Sequence, residues 1–417
     1  MILRARIVFP VSRPVLENGA VVISGNRITA VGSWAEIAAQ STETPVDLGE
    51  VILFPGLINA HCHLDYTLMT GLPEPRYFSD WIKSLLVLKA QASYTDYADA
   101  WLAGAKMLAR HGCTTVADIE AVPELLPDVW SSTPLRVCSF LEMTGVKSRR
   151  APGEIVEEAA AKLESLAPKR GLAGLSPHAL YSTSPPLLTQ SARIAREKGW
   201  RVTMHVAESA EEFEMYTHGR GVMYQWLKNQ RDMSDCGQGT PLAQVERCGL
   251  LGENFLAIHA NYLMPSDIAA LTRAGASVVH CPRSHAYFQH QPFAFAELAA
   301  AGVNVCLGTD SLASVPLPKR GKPELNLFSE MWRFAADHPG VAPSTIVEMA
   351  TRNGARALGW QGRVGELASE TWADLVAIPY RGNVADGAAA IVNHTGDVPV
   401  SIIDGEWVLG PGGQSQI

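Results

Sequence analysis

Short apolar runs alternate with longer amphipathic stretches through most of the chain. Val51 to Phe54 is continuously apolar and leads into Pro55-Gly56-Leu57-Ile58-Asn59-Ala60-His61-Cys62-His63-Leu64. Tyr97 to His111 has helical spacing and stops at Gly112, and Cys113 to Asp118 then reads as a strand. Arg136–Leu141 and Gly174–His178 are further strand candidates. A helix over Leu187–Lys198 ends at Gly199, and Arg201–His205 follows as a strand. Phe255–His259, Ser277–His280 and Val303–Gly308 complete the series. With the opening strand these make eight units, and strands alternating with helices predict parallel βα pairing and a closed (β/α)8 barrel. An open doubly wound sheet fits less well, because no Gly-x-Gly-x-x-Gly follows an early strand. The two chain ends read differently. Ala20–Ser24 and Ile28–Gly32 flank the turn Gly25-Asn26-Arg27, a hairpin pattern. Ala373–Ile378 is a strand candidate, and Ser401–Leu409 turns at Asp404-Gly405. Both ends are therefore expected to join in one small β domain, residues 1–54 plus 362–417, around a barrel of residues 55–361.

A second regularity concerns chemistry. His63, His178, His205, His259, His280 and Asp310 fall at or just beyond the C-terminal ends of their predicted strands. In a barrel those ends converge on one mouth, where catalytic groups gather. His61 and His63 are one residue apart, so on an extended strand both imidazoles point to the same side. With His205 and Asp310 they make a plausible metal set of three imidazoles and one carboxylate. A divalent ion held there would lower the pKa of a bound water towards about 7. Glu208 follows His205 by three residues and is placed to shuttle protons to a leaving nitrogen. His259 is a candidate to orient the water.

Composition narrows the class. The chain has 417 residues, 47% hydrophobic and 18% charged, enough for a large buried core. A net charge of −8 argues against nucleic acid or an acidic membrane surface as partner. No stretch approaches the ~20 apolar residues of a membrane span. The seven cysteines are scattered and never form Cys-x-x-Cys, which points to reduced thiols and a cytoplasmic location. The apolar run at the N-terminus is too short for a signal peptide.

Several motifs together resemble the amidohydrolase superfamily, in its branch of hydrolytic deaminases and chlorohydrolases. They are Pro55-Gly56-Leu57-Ile58-Asn59-Ala60-His61-Cys62-His63, Ser176-Pro177-His178, His205-Val206-Ala207-Glu208 and Ile258-His259-Ala260. His280-Cys281-Pro282-Arg283-Ser284, Leu307-Gly308-Thr309-Asp310-Ser311, the run Ala350 to Gly359 and Ala373-Asp374-Leu375-Val376 extend the match over nearly the whole chain. The resemblance implies a distorted (β/α)8 TIM-type barrel with a β-sandwich from both termini, and a homodimer. It implies one zinc or iron ion on His61, His63, His205 and Asp310. Two-metal relatives carry a lysine on the fourth strand, and Gly174–His178 has none, which favours a single ion. It also implies that hydroxide on the metal attacks an amine-bearing ring carbon after proton loss to Asp310 or His259. Glu208 then protonates the ring nitrogen and assists ammonia departure, while His178 and Ser284 contact substrate.

Substrate is less constrained. The loop Asp65–Lys83 is expected to fold over the barrel mouth, with Trp81 packing on a flat ring. In methylthioadenosine and adenosylhomocysteine deaminases a glutamate some nine residues after the equivalent tryptophan grips the ribose. That position here is Ala90, between Lys89 and Gln91. Phe78-Ser79-Asp80-Trp81-Ile82 resembles the deaminases of 6-amino-6-deoxyfutalosine, whose benzoate Arg149 or Arg150 could pair with. The expected substrate is thus an adenine-like nucleoside, preferably aminodeoxyfutalosine. Guanine, a triazine or another aminoheterocycle is the enzyme alternative. A catalytically silent barrel serving as an assembly module is the remaining one, and it predicts missing ligands.

Overall fold

The computed structural model describes residues 1–146, 148–168 and 170–410. Five strands open the chain: β1 (Ile2–Val8), β2 (Leu16–Ser24), β3 (Arg27–Ser33), β4 (Val46–Asp47) and β5 (Val51–Pro55). The next eight are β6 (Leu57–Cys62), β7 (Cys113–Glu120), β8 (Arg136–Met143), β9 (Leu172–Pro177), β10 (Val202–Val206), β11 (Phe255–His259), β12 (Ser277–His280) and β13 (Asn304–Leu307). β14 (Leu375–Pro379), β15 (Val400–Ile403) and β16 (Glu406–Leu409) end the series.

β6 to β13 pair in sequence order, all parallel, with helices between them. The two edges meet at a single bridge, Cys62 to Asp310, so the sheet closes into a barrel. The expected strands are thus present, shifted by one or two residues. Ile58, Ile119, Phe140, Ile258, Val279 and Cys306 come from six different strands and meet in one buried cluster. Side chains from opposite sides of a barrel can meet only inside it, so the interior is packed and not a pore. Burial of whole strands explains why Phe255 to Ile258 and Val305 to Leu307 read as unbroken apolar runs rather than alternating ones.

The seam between β13 and β6 is made by the segments that carry the candidate metal ligands. Thr309 N–H and Asp310 N–H both donate to the His61 carbonyl, at 3.0 and 3.2 Å. Asn59 Nδ2 donates to Thr309 Oγ1 at 2.7 Å, and Thr309 N–H returns a bond to Asn59 Oδ1. Gly308 is required here: a Cβ would lie 2.8 Å from the His61 carbonyl oxygen.

The terminal strands form one mixed sheet in the order β16-β15-β14-β5-β1-β2-β3, with β4 on β1. Its join to the barrel includes a buried charge pair. Arg136, at the start of β8, donates from Nε to Asp374 Oδ2 (2.7 Å) and from Nη2 to Asp404 Oδ1 (2.8 Å). Its guanidinium also lies 4.2 Å from the Trp372 ring centroid. The seven cysteines are buried and free, as reduced thiols would be. Among the described residues no helix is long and apolar enough to cross a membrane.

Removing one partner of a buried ion pair strands the other charge. Arg136→Ala is therefore expected to lower stability by about 3–5 kcal/mol in denaturant titration. A loss under 1 kcal/mol would mean that the two parts are held by apolar packing alone.

Candidate active site

Each candidate ligand sits at a strand end. His61 lies on β6, His63 one residue past it, His205 on β10, and Asp310 three residues past β13. Ligand atoms of His61, His63 and His205 lie within 4.8 Å of one another, and so do those of Glu208, His259 and Asp310. Asp310 Oδ1 is 3.8 Å from His61 Nε2 and 3.9 Å from His63 Nε2, which joins the two groups. The expected residues are therefore brought together in one place.

Backbone strain marks the same place. Ala207, His259, Ala260 and Asp310 all have φ between 48° and 69°, a region costly for residues with a Cβ. Such conformations cost of order 1–3 kcal/mol each and persist where the surroundings over-determine them. Here the strand ends turn sharply so that each side chain points into the mouth.

The electrostatics fit a cation. Both ring nitrogens of His61 and Nδ1 of His63 are buried with no hydrogen-bond partner. His63 Nε2 and His205 Nε2 face each other at 3.3 Å. Burial holds His63 neutral, with its pKa pushed down to about 3, and pushes His205 well below the usual histidine value. His205 Nε2 is an acceptor, and His63 Nε2 can meet it either as an N–H donor or, with its own lone pair, across a shared cation. His205 Nδ1–H donates to the His178 carbonyl at 2.8 Å, which leaves Nε2 as the ligand atom. Burial alone would raise Asp310, but the surrounding histidines hold its carboxyl well below the usual range. Three imidazoles and one carboxylate are the donor set of a borderline divalent metal.

Ser284, expected on the substrate, instead donates from Oγ to Asp310 Oδ2 at 2.7 Å. Ser314 Oγ donates to the same oxygen at 3.0 Å, and Ser311 N–H to Oδ1 at 2.7 Å. Ser284 therefore orients the carboxylate from behind, and it is not among the residues lining the cavity.

That cavity, of about 230 Å³, opens from the ligand cluster. Glu208 lines it, with Oε1 3.4 Å from His259 Nε2. Burial, then Asp310 and Glu212, raise the Glu208 pKa well above the usual value, while burial pushes His259 down to about 3. Glu208 is thus held protonated a few ångströms from an ionised Asp310. His178 lines the cavity too, its Nδ1 2.8 Å from Ser182 Oγ.

The span expected as a loop over the mouth ends in a helix, Phe78–Gln91. Its first N–H groups have no intrahelical partners, and Glu211 accepts from Phe78 N and Ser79 N instead. Trp81 lines the cavity with its Nε1 donating to the Ala313 carbonyl at 3.0 Å. Arg149 and Arg150 are exposed, Arg150 pairs with Glu158, and neither lines the cavity.

Sequence reasoning missed Lys89 and Glu142, which face each other across the cavity wall at 3.7 Å. Burial would raise Glu142, but Lys89, His178 and His63 hold it below the usual range. Glu142 stands next to last on β8, so the strand-end regularity could have found it. Trp226 and Gln230 also line the cavity, and nothing in their local pattern marks them.

Comparison with known proteins identifies a family and a fold. Residues 52–408 match the model described as the amidohydrolase family, and residues 19–41 a bacterial imidazolonepropionase-like composite domain. A 5-methylthioadenosine/S-adenosylhomocysteine deaminase of Syntrophobacter fumaroxidans is 32% identical over 88% of this chain and 81% of its own. An aminodeoxyfutalosine deaminase of Deinococcus radiodurans is 30% identical over 85% and 84%. Among solved structures, a zinc-bound adenosine deaminase from Xanthomonas campestris superposes with a TM-score of 0.82 at 23% identity, covering 98% of this chain and 92% of that one. The Helicobacter pylori aminofutalosine deaminase gives 0.83 at 22%, covering 98% and 100%. At those identities the structures speak for the fold.

His205→Ala is expected to abolish binding of a divalent metal, measured by elemental analysis of purified protein. Ser284→Ala should weaken metal affinity by about 10- to 100-fold in chelator competition, the usual cost of losing a group that orients a ligand. Unchanged affinity would place Ser284 outside the metal site's support.

Proposed function

Because the chain belongs to the amidohydrolase family, we propose that this metal-dependent deaminase acts hydrolytically on adenosine-like nucleosides, with 6-amino-6-deoxyfutalosine as its preferred substrate. The observation that carries the reaction type is the placing of Glu208, whose pKa burial raises, within 4.8 Å of Asp310, whose pKa is held down, beside His259. Two carboxyls whose surroundings force their proton affinities apart are an acid and a base in waiting.

One zinc or iron ion held by His61, His63, His205 and Asp310 would polarise water and make it nucleophilic at neutral pH. Asp310 or His259 takes the proton that water gives up as its oxygen bonds to the amine-bearing carbon. Glu208 delivers its proton to the adjacent ring nitrogen. The proton held by Asp310 or His259 passes to the amine, the carbon–nitrogen bond breaks and ammonia leaves, while the new hydroxyl returns its remaining proton to Glu208 and becomes the carbonyl. His178 and Trp81 line the space a flat heterocycle would occupy.

The outer wall supports an apolar or aromatic group at the far end of the nucleoside. Trp81, Ile82, Leu85, Leu86, Trp226 and Leu227 line it. An aryl tail suits that wall. A methylthio tail suits it as well and is the second reading, favoured by the 32% identity to a methylthioadenosine deaminase.

Glu208→Gln is expected to keep its metal and lose about 10²–10⁴-fold in turnover, the usual worth of a positioned proton donor. In an ammonia-release panel, aminodeoxyfutalosine should show the highest kcat/KM, followed by methylthioadenosine. A preference for guanine or an aminotriazine would overturn the nucleoside assignment, and full turnover by Glu208→Gln would overturn the acid.

A further inference from the structure

We infer that Glu212 and Asn261 are positioning residues that fix the peptide carrying the Glu208 acid by gripping it from both sides. The inference rests on the role proposed for Glu208. Glu212 is fully buried, yet it makes no ion pair within 4 Å among the described residues. Its Oε2 accepts from Glu208 N–H at 2.9 Å and its Oε1 from Ala207 N–H at 3.2 Å. Ala207 has φ 52°, a conformation alanine does not hold unaided. The carboxylate is thus spent on two adjacent N–H groups that point together only because the chain turns left-handed there.

The opposite side of the same residue is held from the next strand. Asn261 Nδ2 donates to the Glu208 carbonyl at 2.9 Å, and Asn261 N–H donates to the Ala207 carbonyl at 3.0 Å. Asn261 is itself set by His285, whose Nδ1–H donates to Asn261 Oδ1 at 2.9 Å. Donor and acceptor of residue 208 are both committed to buried side chains, so the backbone has no freedom to swing the carboxyl away. Glu212 in turn starts from a fixed point, since its own N–H donates to Ser209 Oγ at 3.1 Å. A purely stabilising carboxylate at a helix start would satisfy the helix's own N–H groups. Glu212 reaches past them to the N–H groups of the acid itself and of Ala207 before it.

A displacement of about 1 Å at a reacting group can cost 10²-fold in rate. Glu212→Ala is therefore expected to lower kcat on adenosine about 100-fold, with KM within about threefold and metal content unchanged. Glu212→Gln, whose amide oxygen can still accept one N–H, should recover part of the loss. In a Glu208→Gln background Glu212→Ala should cost nothing further, because residues acting as one unit are not additive. Should Glu212→Ala not fold, Glu212→Gln and Asn261→Ala carry the same expectation of a kcat loss at constant KM. An unchanged kcat, equal losses in the presence and absence of the Glu208 carboxyl, or a parallel loss of metal would overturn the inference. If Glu208→Gln itself turned over normally, the proposed acid would fail instead, and the two failures are told apart by that one variant.

Discussion

Buried imidazole nitrogens that converge on one point with few partners are the constraint on which this structure turns. His63 and His205 bring their Nε2 atoms within 3.3 Å of each other, and both ring nitrogens of His61 have no partner. Burial that removes protons from imidazoles also removes the water that would otherwise satisfy them. Such an arrangement is unfavourable by itself and becomes favourable around a cation. The scaffold meets that cost by closing the barrel through the same residues. The His61 carbonyl accepts from both Thr309 and Asp310, so the seam cannot part without dispersing the ligands.

The strained strand ends follow from that arrangement. A strand that simply continued would carry His259 or Asp310 past the mouth. Left-handed turns at Ala207, His259, Ala260 and Asp310 redirect the chain at the depth where the side chains must converge. Alanine, histidine and aspartate hold conformations usually left to glycine because strong neighbours pin them: Asn261 and Glu212 on one turn, Ser311 and the His61 carbonyl on another.

Much of this was legible in the sequence, for physical reasons that also mark where it stops. Buried parallel strands need apolar runs, and the candidate ligands need histidine or aspartate at the run's end, so both signals are local, the first repeating over eight strands and the second at six of their ends. The helix Phe78–Gln91 was read as loop up to Lys83, because its start carries no N-cap side chain. The partner of its first N–H groups, Glu211, lies 133 residues away. Ser284 was assigned to substrate from its motif, but its hydroxyl turns to Asp310, 26 residues on. The Lys89–Glu142 pair joins a helix to a strand with no shared pattern. Contacts of that kind exist only after folding.

The same distinction bears on what separates this chain from other amidohydrolases. The ligand set and its seam are properties of the barrel and would serve any hydrolytic attack. The proposed deaminase chemistry adds a second carboxyl that is pushed towards its protonated form beside one that is not, and that asymmetry is local. Asp310 is surrounded by imidazoles and hydroxyl donors, which stabilise its charge. Glu208 lies within 5 Å of it, but faces a neutral His259 with Asp310 and Glu212 as its charged neighbours, which penalise a further negative charge. Burial first, and then the carboxyls of Asp310 and Glu212, keeps the proton on the proposed acid, and Glu212 also accepts from its backbone N–H. Glu212 thus bears on both the position and the protonation of Glu208.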